Sequence, residues 1–588
     1  MRISVGKYWL SDIAMIFIAF SLLYLCTSYF RPISNPDEGR YAEIPREMIA
    51  SGDYVTPRLN GLAYFYKPPL FYWLQALSFK TFGISKTSIR LANTIMAVLG
   101  LCATYIATRS LYGRKAGWIS ALVLSSSILY YAIGSMVTLD MCVSVLMASA
   151  MFSFIVGVNK SGFIRSILFF SFFVFCAFAV MAKGIIGILI PCTVIFLYSI
   201  IGGKKRIHDF FYSMSKADII AIICGIASFF IIVLPWHIAV SIANPPTVSG
   251  LNIFTSDAYG QGFFWYYFIH EHFLRYLDSS TSMRSQPFWF FWVIAPVGFV
   301  PWIILIPRAI KSLISSNVNC FNPISFMGVW IAFVVGFFSL SSSKLIPYIT
   351  VIYPALAFVV GAWFSKEWQN IETKKMRFEQ ISIIIIGIIA SIAIVVAYCI
   401  LKNKPIDDST LIAGFYGCII SSSLMLGVSI MAFRYYLKSK MRYFWICAFV
   451  GASIFAASIN INAGMAQKMN SEKIATEIKK LSVENVAIAF NYGAFHDLPV
   501  WLDKTLIFIG NPPEEQQFGW QREMHLHSHR ILTTAEALCE FLRKNSLVVV
   551  LRNEDLPKLQ SMSENLLMKK IAGNKNIIVL NLSLNEKK

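Results

Sequence analysis

Long apolar runs alternate with short polar connections through the first 460 residues. The first run, WLSDIAMIFIAFSLLYLCTSYF, ends at Phe30, and a stretch of about 20 apolar residues is what a membrane-spanning helix needs. Applied along the chain, that length predicts thirteen spans, at approximately 8–30, 88–108, 116–134, 137–158, 164–182, 184–202, 217–241, 287–307, 323–341, 345–364, 380–401, 410–433 and 443–462. Only Ala182-Lys183-Gly184 separates the fifth from the sixth. The first run ends without a small-residue cleavage pattern and reads as a retained span.

Three connections are too long to be simple turns: 31–87, 241–286 and the tail from Ala463. The tail alternates helix-like stretches (EKIATEIKKL, TAEALCEFLRK) with β-rich runs at 486–490, 505–509, 547–551 and 577–582. That alternation predicts a small α/β domain with a partly parallel sheet. The expected fold is a polytopic α-helical membrane protein with residues 1–462 in the membrane domain and 463–588 in the C-terminal α/β domain. A mean hydropathy of +0.61 supports the membrane class.

Charge sharpens the topology. The chain carries a formal +20, yet the tail from Ala463 holds 16 Lys and Arg against 14 Asp and Glu. The excess lies instead in short loops, which excludes a polyanion-binding face and leaves no role for nucleic acid. With the N-terminus inside, the inside segments carry 21 Lys and Arg and the short outside connections 4. The positive-inside rule therefore puts the N-terminus in the cytoplasm and, with an odd span count, the tail outside. Nine of the eleven cysteines lie in or against apolar spans, with no CxxC spacing, so they read as small buried hydrophobes.

The costly charges gather on the outside. They are Asp37, Glu38 and Arg40 after the first span, Lys67, Asp140 at the head of the fourth span, Lys183, the His270–Arg275 stretch and Lys344. Ionisable groups at such depths are expensive and usually functional. Helix capping offers a plainer account of SNPDEGRYAE, with Asn35 as cap, Pro36 at the first position and two acids at the dipole's positive end. Lys67 can snorkel from an interfacial helix after Pro68-Pro69, and FFWYYFIHEHFLRYLD can be an amphipathic headgroup helix in which His272 and Arg275 share a face. His525, His527 and His529 would line up on a strand and could ligate a metal, but no carboxylate or cysteine completes the set. Taken together, cations with two or three carboxylates suit a phosphate-linked lipid substrate whose leaving group gains charge in the transition state.

The run NPDEGRYAEIPREMIASGDYVTPRLNG…YFYKPPLFYW, followed in order by YAIGSMVTLD, MAKG, EHFLRY and SSSKLIPYI, resembles the 4-amino-4-deoxy-L-arabinose lipid A transferases. These are GT-C glycosyltransferases related to the protein O-mannosyltransferases. The resemblance covers the membrane region; the tail matches in placement and rough α/β character. It implies inverting transfer of an amino sugar, aminoarabinose or another such as galactosamine, from undecaprenyl phosphate to a lipid A phosphate at the periplasmic face of the inner membrane. By position it makes Asp37 the main catalytic carboxylate, supported by Asp140 and Glu38. Lys67, Arg275 and Tyr348 would hold the carrier phosphate, and Tyr41, Tyr64, Lys183, His272 and Lys344 would line the site.

One position departs. The resemblance implies a glutamate before the lysine of the Lys-Pro motif as a ligand to a divalent metal, and here Tyr66 stands there. No cofactor is certain, and the change counts against a metal without excluding one. Two other readings compete: a polyprenyl-phosphate-dependent enzyme acting on protein or another glycan, and a lipid or sugar transporter. A transporter would carry paired repeats and broken midplane helices; the sequence shows no repeat.

Overall fold

The computed structural model describes residues 8–29, 31–247, 259–274, 285–313, 321–368, 376–402, 408–463, 471–481 and 483–585. Apolar length produces helices where expected. Among the described residues ten helices are long and apolar enough to cross a membrane, beginning with α1 (Trp9–Tyr29), and two further pairs are bent spans or re-entrant loops. Ile186–Ile201 is a shorter apolar helix. Gly184, at φ +97°, ends the helix Phe163–Lys183 and separates it from Ile186–Ile201, a turn that costs glycine nothing.

Two predicted spans are broken. Arg114–Ser125 and Ile128–Ser135 meet at 68°, and Phe290–Gly298 and Trp302–Ser312 at 97°. At the first break Ser126 and Ser127 donate back to the carbonyls of Leu122 and Val123 at 2.6 and 2.7 Å, which bends helices. At the second, Pro301 brings no N–H to continue the ladder. The two breaks touch, since Trp302 Nε1 donates to Ser126 Oγ at 3.0 Å.

Leu139–Val158 runs through the middle of the bundle, 94% of its span window buried. Lys216–Ala243 is its opposite, with Ile219, Ile220, Ile223, Phe230 and Ile231 exposed, a surface suited to lipid rather than water. The ten described cysteines are all free thiols.

The connection after α1 forms helix α2 (Asp37–Ser51), a short hairpin of β1 (Arg58–Leu59) and β2 (Leu62–Ala63), and helix α3 (Leu70–Phe82). The tail folds as a six-stranded sheet: β3 (Val486–Ala489), β4 (Ile507–Ile509), β5 (Ile531–Leu532), β6 (Leu547–Arg552), β7 (Leu566–Gly573) and β8 (Ile577–Leu584). The spatial order is β5-β4-β3-β6-β8-β7. β5, β4, β3 and β6 are parallel, while β8 and β7 close the sheet antiparallel. Continuous apolar strands such as VAIA and LVVVL suit a parallel sheet covered on both faces.

The tail grips the hairpin. Asn60 exchanges two hydrogen bonds with the Leu506 backbone at 2.8 and 3.1 Å. Gln516 donates to Leu59 O at 2.7 Å, and Arg58 pairs with Glu523 at 2.9 Å. A Cβ on Gly519 would lie 2.4 Å from Ala63 O, so only glycine permits that approach.

Candidate active site

The stretch after α1 turns sharply at Pro36 and enters α2 at once. Asp37 stands in the first turn of α2 with its side chain 58% exposed, where the helix dipole favours a negative charge. It accepts from Arg40 Nη2 at 3.1 Å. Arg40 is buried and also donates to Tyr64 Oη at 3.0 Å and to Glu515 Oε2 of the tail at 2.6 Å. Asn35 is not the helix cap that its position suggested. Its side chain reaches across to Asp497 Oδ1 and Ala494 O, at 2.5 and 3.0 Å.

Glu38 takes a place unlike the catalytic one expected from its position beside Asp37. It is fully buried, and its oxygens accept from Arg31 at 2.8 Å, from Arg90 at 2.7 and 3.0 Å, and from the backbone of Ser34 and Val137 at 2.8 and 3.1 Å. Burial opposes its charge, but the two guanidiniums outweigh burial and hold the carboxyl down to about 2. With its lone pairs so used, Glu38 braces the fold and offers nothing to a substrate.

Through Val137 that brace reaches the head of Leu139–Val158, where Asp140 sits. Asp140 pairs with Lys183 from the end of the neighbouring helix. Lys183 Nζ also lies 4.3 Å from the Tyr348 ring centroid, within cation–π reach. Asp140, Lys183 and Tyr348, distant in sequence, thus form one cluster. Lys344 is buried, and its ammonium donates to Ser341 O and Gln286 O at 2.5 and 2.9 Å. It ties the end of Pro323–Leu340 to the neighbouring connection.

Aromatic rings form the third part. Tyr64 and Tyr66 stack at 5.2 Å, Tyr266 meets Tyr66 edge-on at 6.1 Å, and Tyr266 stacks on His270 at 5.0 Å. Phe518 of the tail packs on Tyr266 at 4.2 Å. Half-buried Lys67 follows directly. Tyr41 is partly buried, against Phe71 and Tyr72, and Tyr64 is buried behind Arg40. Of EHFLRY, the backbone of His272 continues a π-helical stretch, Trp265–Leu274, and Arg275 lies outside the described residues.

Tyr66 sits among rings, and among the described residues no group of three or more His, Cys, Asp or Glu side chains could hold a metal ion. The MHLHSHR stretch opens as a short helix, Met524–His527, and His527 meets Glu523 and Arg530 at 3.3 and 3.0 Å. A strand alignment of its histidines is therefore ruled out.

Arg31, Arg90, Glu515 and His496 were missed from sequence. Arg90 had a visible signal: an arginine within the first turn of a predicted span is as costly as the residues singled out. Glu515 and His496 had none, because only the docking of the tail brings them to α2.

The sequence model of the dolichyl-phosphate-mannose-protein mannosyltransferase family matches residues 66–237. An undecaprenyl phosphate-alpha-4-amino-4-deoxy-L-arabinose arabinosyl transferase of Yersinia pestis is 28% identical over 390 residues, which are 66% of this chain and 65% of that protein. The like-named Aeromonas hydrophila protein is 28% identical over 349 residues, 58% of each chain. The chain thus spans about 65% of the length of the Yersinia relative. Its fold matches the crystal structure of ArnT from Cupriavidus metallidurans bound to undecaprenyl phosphate with a TM-score of 0.77 at 24% identity, covering 97% of this chain and 98% of that one. The apo structure of the same protein gives 0.76 at 23%, with the same coverage. The chain thus shares the fold of the Cupriavidus protein and is similar in sequence to the Yersinia and Aeromonas transferases.

Proposed function

We propose that this protein is an inverting glycosyltransferase that moves an amino sugar, 4-amino-4-deoxy-L-arabinose or a close analogue such as galactosamine, from undecaprenyl phosphate to a phosphate of lipid A. The observation that carries the reading is Asp37: an exposed carboxylate at a helix N-terminus, beside a buried arginine, where the chain leaves its first span. The names of the relatives supply the donor and the sugar. The reaction faces the periplasm, and the enzyme sits in the bacterial inner membrane.

In this reading an oxygen of the acceptor phosphate attacks the anomeric carbon as the bond from that carbon to the carrier phosphate breaks, inverting the centre. Both phosphates are anionic near neutral pH, so no strong base is needed. Asp37 orients the acceptor or holds the sugar ammonium. Lys67 offsets charge growing on the departing phosphate, a role that the family resemblance also gives Arg275. Lys183, held by Asp140 and covered by Tyr348, supports the same charge. The aromatic wall of Tyr66 and Tyr266 offers apolar faces to a sugar ring. No step is routed through a metal, and sugar recognition falls to these side chains.

The test is mass spectrometry of lipid A from cells with and without the protein. Amino-sugar-substituted phosphates present only with the protein are expected. An unchanged lipid A profile would overturn the reading. The match to the protein mannosyltransferase family favours a second acceptor class, and a glycan found on protein in the same cells would select it.

A further inference from the structure

The tail domain presents a particular edge to α2. In open sheets with parallel strands, sites form outside the carboxyl ends of the strands. β3 and β4 are parallel neighbours. The chain leaving β3 passes through the turn Tyr492–Phe495 to His496, and the chain leaving β4 leads into the helix Glu514–Arg522 with Glu515 in its first turn. This edge lies against the start of α2. Asn35 bonds to Ala494 and Asp497, and a Cβ on Gly39 would fall 2.6 Å from Asp497 N and 3.0 Å from His496 C. Only glycine lets the two backbones meet so closely.

A continuous polar chain crosses this contact. His496 Nε2 donates to Glu515 Oε1 at 3.0 Å, Glu515 Oε2 accepts from Arg40 at 2.6 Å, and Arg40 donates to Asp37 at 3.1 Å. His496 is fully buried and Arg40 nearly so, whereas Asp37 is open to its surroundings. We propose that Glu515 and His496 are positioning residues of the active site, with the tail domain completing the site by holding Arg40 so that Asp37 stays available to substrate. This rests on the glycosyltransferase reading of Asp37.

The physical logic is a competition for one guanidinium. Glu515 and Tyr64 both engage Arg40 Nη1, which leaves the guanidinium a single Nη2 bond to Asp37. Without Glu515, Nη1 of Arg40 has one fewer acceptor and turns to Asp37 as well, converting a single-bonded pair into a two-bonded one that covers the carboxylate. His496 fixes Glu515 in turn. Docking of the tail does not depend on this chain alone, since Arg58–Glu523, Asn60–Leu506 and Gln516–Leu59 hold the same two parts together.

The experiment compares full-length protein with E515Q, E515D, H496Q and E523Q, each in proteoliposomes with polyprenyl-phosphate-linked amino sugar and lipid A. E515Q is expected to lower kcat about 10²-fold, the cost of a misplaced catalytic group, with donor KM unchanged. H496Q should fall the same way but less far, and E515D should recover part of the rate. E523Q removes a docking ion pair remote from Arg40 and should keep its kcat. Full kcat in E515Q, or an equal loss in E523Q, overturns the proposal. A second readout needs no substrate: carbodiimide labelling of Asp37, followed by peptide mass spectrometry, should drop in E515Q and not in E523Q. Unchanged labelling overturns the proposal even if wild-type protein transfers no amino sugar, an outcome that would sink only the functional reading.

Discussion

At each end of α1 an acid is gripped by two arginines. Near its start Asp12 binds Arg109 at 2.6 Å and Arg114 at 2.6 and 2.7 Å, and also accepts from Tyr105 at 2.5 Å. Past its end Glu38 binds Arg31 and Arg90. The two triads look alike and do the same work: each joins α1 to the helix Lys86–Tyr112, which contributes Arg109 at one end and Arg90 at the other. The ends differ in what stands beside the triad. At the Glu38 end the neighbouring carboxylate, Asp37, is exposed and linked through Arg40 to the tail. Charge near a membrane is thus no mark of function by itself.

That comparison can be broken most sharply at Asp37. Asp37→Asn should lower transfer about 10³-fold, within the range for loss of a positioned catalytic group, while the protein melts as before. Retention of full turnover would place the reactive group elsewhere. Asp12→Asn should do the reverse, lowering the melting temperature while the surviving folded protein keeps its kcat.

Glu38→Gln comes next. Removing one partner from a buried ion-pair network costs about 3–5 kcal/mol, to be read as lost thermal stability in detergent. The pH dependence has a definite sign. The folded carboxyl is held at about 2, below its ordinary 4.5, so its contribution is complete above about 4.5 and fades as pH falls towards 2. The variant should lack that acid limb.

A smaller effect is expected at the second cluster. Lys183→Ala should raise donor KM about tenfold by removing one phosphate contact, worth about 1.4 kcal/mol on the affinity scale. Equal KM values for variant and wild type would reduce Asp140–Lys183 to a brace like Asp12–Arg109. Smallest of all, chelation of divalent ions should leave the rate unchanged, since Tyr66 sits among rings and the described residues hold no group of three His, Cys, Asp or Glu placed for a metal. A rate lost to chelator and restored by a divalent ion would refute this.

Particular residues show how far the sequence could be read. The helix Leu139–Val158 was legible because apolar length is a local property that lipid and protein interiors reward alike. The tail's α/β character was legible for a similar reason, in runs such as VAIA and LVVVL. The bends at Ser126 and Pro301 were less so, because a run of 20 apolar residues reads the same whether straight or broken. Lys344 shows the limit for charges: its sequence context resembles that of Lys183, yet its ammonium ends on two backbone carbonyls and that of Lys183 on Asp140.

By itself, then, the sequence determined the membrane class, the helix positions and the α/β tail. All of these follow from hydrophobicity and charge along contiguous segments. Tertiary structure alone decided which of two adjacent acids is buried, which cation each carboxylate meets, and that the tail reaches α2 through Glu515 and His496. The link to the tail depends on side chains more than 400 residues apart sharing one guanidinium, and the pairing of buried charges is settled by geometry that no local pattern records.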